Sequence, residues 1–302
     1  SSATSREVEQ LLSHQRDRAL RGEVPALSTM QQELERRGLF TGNNNNNSAA
    51  AYLDGYLGND TITGNSGNDT LLGGEGDDLF LVSLATDLVQ GDVINGDGGT
   101  DELRFNATTA STLLLTSDVT VERVVIGTGM GASAVTTGTL AINVNAAASA
   151  SALAMIGNAG ANSLTGSAYN DSLDGGLGAD TLIGGAGNDT LTGGLGADVF
   201  VFNQAPNATN NIDVYTGFTA VDDDIWLAKS ALSGLGAVGA LDTDAFWASA
   251  NGTASDATDR ILYDTVTGAL YYDADGTGAG DAVQIAKFDA GTTLTAGDFF
   301  VI

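Results

Sequence analysis

A nine-residue glycine–aspartate repeat constrains this chain more than any other feature. One array reads GYLGNDTIT (55–63), GNSGNDTLL (64–72) and GGEGDDLFL (73–81). A second reads GNAGANSLT (157–165), GSAYNDSLD (166–174), GGLGADTLI (175–183), GGAGNDTLT (184–192) and GGLGADVFV (193–201). A worn copy, GDGGTDELR, begins at Gly96. Self-similarity at a short fixed period marks a solenoid, in which each repeat buries its apolar face only against its neighbours. The template is G-G-x-G-x-D-x-U-x, with U apolar. Its first six residues turn the chain sharply, and glycine supplies the positive φ values such a turn needs. The aspartate at position six offers a hard oxygen, the ligand type that Ca²⁺ prefers. The last three residues make a very short strand whose central side chain points inward while its neighbours point out. That predicts a core of Ile62, Leu71, Phe80, Leu164, Leu173, Leu182, Leu191 and Phe200. One apolar side chain per strand is too little to hold the array together, so folding is expected to depend on metal. Solvated turns alone would not need aspartate at one register in copy after copy.

Charge points the same way. The 302 residues include 38 acids and 11 bases, a formal charge of −27. Six of each lie in residues 1–42, which leaves 32 acids and five bases (Arg104, Arg123, Lys229, Arg260 and Lys287) in residues 43–302. A compact state so charged repels itself unless something positive offsets it. Nucleic acid and anionic membrane are poor partners for such a surface, and divalent cations are good ones. The hydrophobic share of 42% suffices for a core, unlike that of a disordered acidic tail. Cysteine is absent, which excludes disulfides and thiolate metal sites. No apolar run reaches the length of a membrane span, and no basic-then-apolar signal peptide opens the chain.

The template and its uninterrupted arrays resemble the RTX (repeats-in-toxin), or haemolysin-type calcium-binding, family. The resemblance implies a parallel β-roll in which nine residues make half a coil, so that turns on one side stack every second repeat. It implies that each Ca²⁺ sits between two stacked turns, held by carboxylates from both and by backbone carbonyls of the glycine-rich turns. Carried onto this chain, the expected ligands are Asp60, Asp69, Asp78, Asp101, Asn162, Asp171, Asp180, Asp189 and Asp198, with the backbones of Gly176, Gly178, Gly185, Gly187, Gly194 and Gly196. Asp60 is expected to share an ion with Asp78, Asp180 with Asp198, and Asp171 with Asp189. Asn162 offers an oxygen without charge, so a site it shares with Asp180 is expected to be weaker. Ala168 and Tyr169 stand where other copies have x-Gly, which leaves the geometry of that turn open. Several Ca²⁺ ions are expected, at affinities of roughly 10⁻⁴–10⁻³ M as in extracellular modules. Such a chain stays loose in a low-calcium cytosol and folds outside the cell.

The expected fold is mainly β: a parallel β-roll or β-solenoid, with a short α-helical hairpin before it and a β-rich cap after it. The chain divides into a helical hairpin (1–41), an Asn-rich linker (42–54), a first roll (55–81), a calcium-poor β stretch (82–155), a second roll (156–202) and a cap (203–302). Residues 82–155 carry short apolar and β-branched runs between turn-like segments. They read either as further coils of one solenoid or as a β-sandwich insert between two rolls. Within them, Val124-VIGTGMGA carries a G-x-G-x-x-A pattern after a strand. The next residues, 133–144, are β-prone, and no acid stands at the spacing a dinucleotide site needs.

The cap segment 261–288 resembles the region after the rolls in secreted serralysin-type metalloproteases, and reads as hairpin strands. Asp273-x-Asp275-Gly276 reads as a calcium loop or a plain turn, and fails the EF-hand spacing. The final Asp298-Phe-Phe-Val-Ile resembles the uncleaved C-terminal signal of type I secretion substrates, and reads equally as a last strand. At the other end, Val8, Leu11, Leu12, Ala19 and Leu20 recur at helical spacing. Ser28-x-x-Gln31 is a capping box and Gly38 a C-cap. A hairpin of that size cannot build its own core, so it is expected to cap the roll, dock on another chain or serve an upstream partner.

RTX rolls often trail a catalytic domain. This chain has one histidine, His14, and neither H-E-x-x-H nor G-x-S-x-G, so no enzyme is expected. Two function classes remain. One is a calcium-dependent structural or adhesive protein of S-layer, matrix or adhesin type, secreted to a bacterial cell surface. The other is the calcium-folding and export module of a larger hydrolase or toxin. The expected partners are calcium, the type I secretion machinery, and copies of the chain itself or cell-surface polysaccharide.

Overall fold

The computed structural model describes residues 41–43, 50–88, 91–129, 133–276 and 282–302. The expected helical hairpin up to residue 40, with His14, lies outside them. Among the described residues there is no α-helix, only strands, turns and three short 3₁₀ segments. Strands form a thirteen-stranded sheet, an eight-stranded sheet and a four-stranded sheet.

The long sheet is parallel from Thr41–Asn43 through to Asp213–Thr216. One inward apolar side chain per strand stacks on the next in register. The column runs Ile62, Phe80, Leu103, Val124, Met155, Leu173, Leu191 and Tyr215, all buried. A facing column in the second sheet runs Leu113, Val144, Leu164, Leu182, Phe200, Ile225 and Phe299. The third sheet adds Leu53, Leu71, Ile94 and Val119. The period-nine pattern therefore does what parallel stacking requires: each U residue finds another U residue one coil away. All the core positions expected from the repeats are buried.

Register partners are 18 residues apart inside the second array (Ser172↔Thr190) and 31 apart at the longest coil (Arg123↔Ala154). The parallel ladder is unbroken between the arrays, so residues 82–155 are coils of the same solenoid and not a separate sandwich. One coil gives a strand to each sheet: Glu102–Phe105, Ser111–Leu114 and Val119–Thr120. There the third sheet ends and the second begins. Residues 42–54, expected as a linker, also hold coil. Thr41–Asn43 pairs with Thr61–Thr63, and Tyr52–Asp54 pairs with the strand Thr70–Glu75.

The extra length of the long coil lies on the outer face of the long sheet. Thr128 and Val135 exchange backbone hydrogen bonds of 2.9 and 2.8 Å, and Arg104 Nη1 donates to the Gly129 carbonyl at 3.0 Å. Arg104, Glu102 and Val125, which alternate with the inward Leu103 and Val124 along their strands, are buried as well. Arg104 Nε donates to Glu102 Oε1 at 2.6 Å, and Arg123 Nη1 lies 3.4 Å from Glu102 Oε2. After the glycine pattern at Gly127, Thr128 bridges back to Val135, and the described residues that follow form no helix that would hold a phosphate.

At the C-terminal end the sheets continue into the cap. Val283–Phe288 adds parallel to the long sheet, and Ala269–Tyr272 and Ile261–Asp264 follow antiparallel. Phe299–Val301 adds parallel to the second sheet beside Asp224–Leu227. Aromatic rings close the core: Tyr215 stacks on Phe200 at 5.0 Å and meets Phe288 edge-on at 5.2 Å. Larger side chains here replace the single leucines of the roll, which have no further coil to pack against.

Candidate metal centre

The turns that join the strands follow the repeat position by position. In most of them positions two and four both have positive φ, as at Gly194 (+104°) and Gly196 (+144°). Tyr56, Asn65 and Asp97 hold position two in the same left-handed region without being glycine. Close approach is the second reason for glycine. A Cβ on Gly194 would run into the Gly176 carbonyl one coil below, and one on Gly196 into the Gly178 carbonyl. Carbonyl groups of one turn therefore lie against the backbone of the next turn on the same side.

The position-six aspartates form columns along both sides. Each backbone N–H donates to Oδ1 of the aspartate one coil further on: Asp60 to Asp78 (2.7 Å), Asp78 to Asp101 (2.8 Å), Asp171 to Asp189 (2.8 Å) and Asp180 to Asp198 (2.9 Å). Asp69 Oδ1 accepts from Ala51 N at 2.7 Å in the same way. The pairs expected to share an ion are thus neighbours in one column.

The other carboxylate oxygen is what makes these columns candidate metal centres. Oδ2 of Asp69, Asp78, Asp101, Asp180, Asp189 and Asp198 is buried and has no hydrogen-bond partner. It sits over the first glycine of its own turn, so that a Cβ on Gly175 would come 2.6 Å from Asp180 Oδ2. A buried anionic oxygen without a donor is costly, and a hard cation is the group that satisfies it. Burial pushes Asp78 up to about 6, with the Asp101, Asp77 and Asp97 carboxylates adding to it. Burial likewise raises Asp180 to about 7, with Asp198 and Asp174 adding, and Asp189 to about 7, with Asp171 adding. Among the described residues no three acidic or histidine side chains converge on one point. The donor set that would fit Ca²⁺ here is carboxylates of two stacked turns plus backbone carbonyls, of which those of Gly176 and Gly178 lie against the next turn; the carbonyls of Gly185, Gly187, Gly194 and Gly196 are expected from the repeat alone.

The columns run further than the repeats. Asp69 N–H donates to Asp92 Oδ1 at 2.7 Å, Asp101 N–H to Glu122 Oε2 at 2.8 Å, Asp189 N–H to Asp213 Oδ1 at 3.2 Å and Asp198 N–H to Asp223 Oδ1 at 2.9 Å. Burial lifts Asp213 to about 8, and Asp189 adds to it. Sequence reasoning missed these four acids because coils longer than 18 residues break the period. A local signal was present: each acid stands two residues before a buried apolar side chain (Ile94, Val124, Tyr215 and Ile225).

Asn162 and Asp171, both expected as ligands, differ from the rest. Asp171 Oδ2 accepts from Ser167 N at 2.6 Å and Ser167 Oγ at 2.9 Å, while Oδ1 accepts from Leu153 N at 2.7 Å. Asn162 Oδ1 accepts from Asn158 N at 2.9 Å, and its Nδ2 donates to the Ile142 carbonyl at 2.6 Å. In the cap, Asp273 is fully buried and its Oδ1 accepts from Asp275 N and Gly276 N, which closes a local turn. Asp298 Oδ2 accepts from Thr295 N and Oγ1 just before the last strand.

No curated protein matches the chain. The family model of the RTX calcium-binding nonapeptide repeat matches it in four copies, over residues 42–81, 156–191 and 174–204.

Proposed function

We propose, from the RTX calcium-binding nonapeptide repeats matched over residues 42–81 and 156–204, that the chain is a calcium-folded extracellular protein of structural or adhesive type. It is exported through a type I system and serves at a bacterial cell surface, as an S-layer, matrix or adhesin component. The columns of buried carboxylates with unpartnered Oδ2 atoms carry this reading. Bound calcium supplies positive charge to a solenoid that has almost none of its own. The chain's own part is to place the carboxylates. The U residues set the coil height, the glycine turns let backbones approach, and each position-six N–H holds Oδ1 of the next aspartate in line. Without the ion, neighbouring carboxylates in a column repel one another, and the coils open. With it, the same columns become the staples of a long, regular surface.

Two observations favour a surface role over a folding aid alone. The coils continue through the calcium-poor middle, so the repeats serve a longer scaffold than they build. Leu177 and Leu195, in register on adjacent coils, leave their side chains exposed beside the calcium turns. Electron microscopy of the chain with millimolar CaCl₂ and with EDTA tests the proposal. Sheets or filaments only with calcium are expected. Monodisperse particles in both would sink the structural reading and favour a folding and export module.

A further inference from the structure

The turns on the columns come in two kinds, and the difference lies at positions two and four. In the turn 184–189, Gly185 and Gly187 have φ of +105° and +131°, and Asp189 Oδ2 is buried without a partner. In the turn 166–171 the same positions hold Ser167 and Tyr169, and neither has positive φ. The reversed peptide brings Ser167 N–H and its hydroxyl onto Asp171 Oδ2, and Tyr169 N–H donates to Ser167 Oγ at 3.1 Å. The turn 157–162 repeats this arrangement. Asn158 N–H donates to Asn162 Oδ1, and Gly160 N–H donates to Asn158 Oδ1 at 2.8 Å.

We propose that Ser167 and Asn158 are built-in substitutes for calcium, which close the first two turns of the second array to the ion. This rests on the calcium reading of the open turns. Asp171 Oδ2 then accepts from two donors of Ser167 and has nothing left for a cation. At the other turn Asn162 is an amide for a reason: its Nδ2 reaches the Ile142 carbonyl, which a carboxylate cannot do. The same serine/threonine clasp occurs away from any column, where Ser255 N and Oγ donate to Asp259 Oδ2 at 2.6 and 3.0 Å. There Asp256 N also donates to Asp259 Oδ2, at 3.0 Å, so protein donors alone engage that oxygen. Thr219 clasps Asp223 likewise at the far end, at 2.7 and 2.9 Å. The column through Asp180 and Asp198 therefore runs between closed turns at Asn162 and Asp223, and within it Oδ2 of Asp180 and of Asp198 is buried without a partner. The coil 154–171 closes without calcium and gives the calcium-dependent coils a folded edge to add to.

The test counts bound calcium by native mass spectrometry and titration calorimetry, in the full chain and in a Ser167→Gly/Tyr169→Gly variant. Restoring glycine at both positions is expected to add one ion per chain. An unchanged count, in a variant that melts like the parent in calcium, overturns the proposal while leaving the calcium reading intact. A parent chain that binds no calcium overturns both. Hydrogen exchange on the parent chain in EDTA guards against a variant that fails to fold. Amides of residues 163–174 are expected to stay protected while those of 190–201 exchange. Equal loss in both segments counts against the proposal.

Discussion

The backbone N–H of Asp180 donates to Oδ1 of Asp198, one coil above, while Oδ2 of Asp198 is buried with no partner. One oxygen sets the spacing of the coils and the other is left for a cation. Removing the charge at Asp198 should therefore cost binding more than it costs architecture. Asp198→Asn is expected to bind one ion fewer per chain and to weaken the remaining affinity about tenfold, or about 1.4 kcal/mol. Asp118→Asn, on an exposed turn, should bind as the parent does. Identical calorimetric titrations for both variants would show that the column is not the ligand set.

Chelation is expected to remove most of the β circular dichroism, because single apolar side chains per strand do not offset the repulsion of the aspartate columns. Spectra unchanged by EDTA would rule out folding coupled to calcium.

Acidity should act in the direction of calcium. Asp78, Asp180 and Asp189 are raised from an ordinary 3.8 to about 6, 7 and 7, chiefly by burial. In the calcium-free chain the folded state then holds more protons than the unfolded state between the ordinary and the raised values. Stability without calcium is present at the acid end of that window and is lost as pH rises through it. Scanning calorimetry in EDTA should give a higher Tm at about pH 5 than at about pH 7.5, with calcium raising Tm most at the higher pH. A calcium-free Tm that rises with pH contradicts this.

Two glycines separate strain from collision. Gly217 has φ of +69° with nothing within 4 Å of an added Cβ, so Gly217→Ala should cost about 1–2 kcal/mol. Gly196 has φ of +144°, and its Cβ would overlap the Gly178 carbonyl. Gly196→Ala should cost about 3 kcal/mol or more, measured by urea unfolding in saturating calcium. Equal costs would mean that the turns do not approach as closely as described.

Arg104 is expected to matter without touching calcium. It is buried against Glu102, and its Nη1 donates to the Gly129 carbonyl. Arg104→Ala leaves that carboxylate with only the longer contact to the half-exposed Arg123, at a cost of about 3–5 kcal/mol. Glu102→Gln/Arg104→Met should recover most of the loss. A double variant as unstable as the single one would place the cost in packing and not in the unpaired charge.

Sequence alone determined the repeat-built core and the register of the aspartate columns. Period nine leaves Ile62, Phe80, Leu173 and Leu191 no partner except the next apolar residue one coil away, and it carries the aspartates with them. Glycine at positions two and four announced the turns for the same local reason. The tertiary structure decided where the period stops being the rule. Asp92, Glu122, Asp213 and Asp223 join the columns through coils of irregular length, which only the parallel ladder aligns. Residues 82–155 proved continuous with the arrays because backbone pairing, unlike sequence, tolerates coils of 18 to 31 residues. The sharpest case is Asp171. Its letter matches the repeat, yet its carboxylate is held by Ser167, because the residue four earlier, without the positive φ of glycine, turns its N–H onto Oδ2 and adds a hydroxyl donor that glycine lacks.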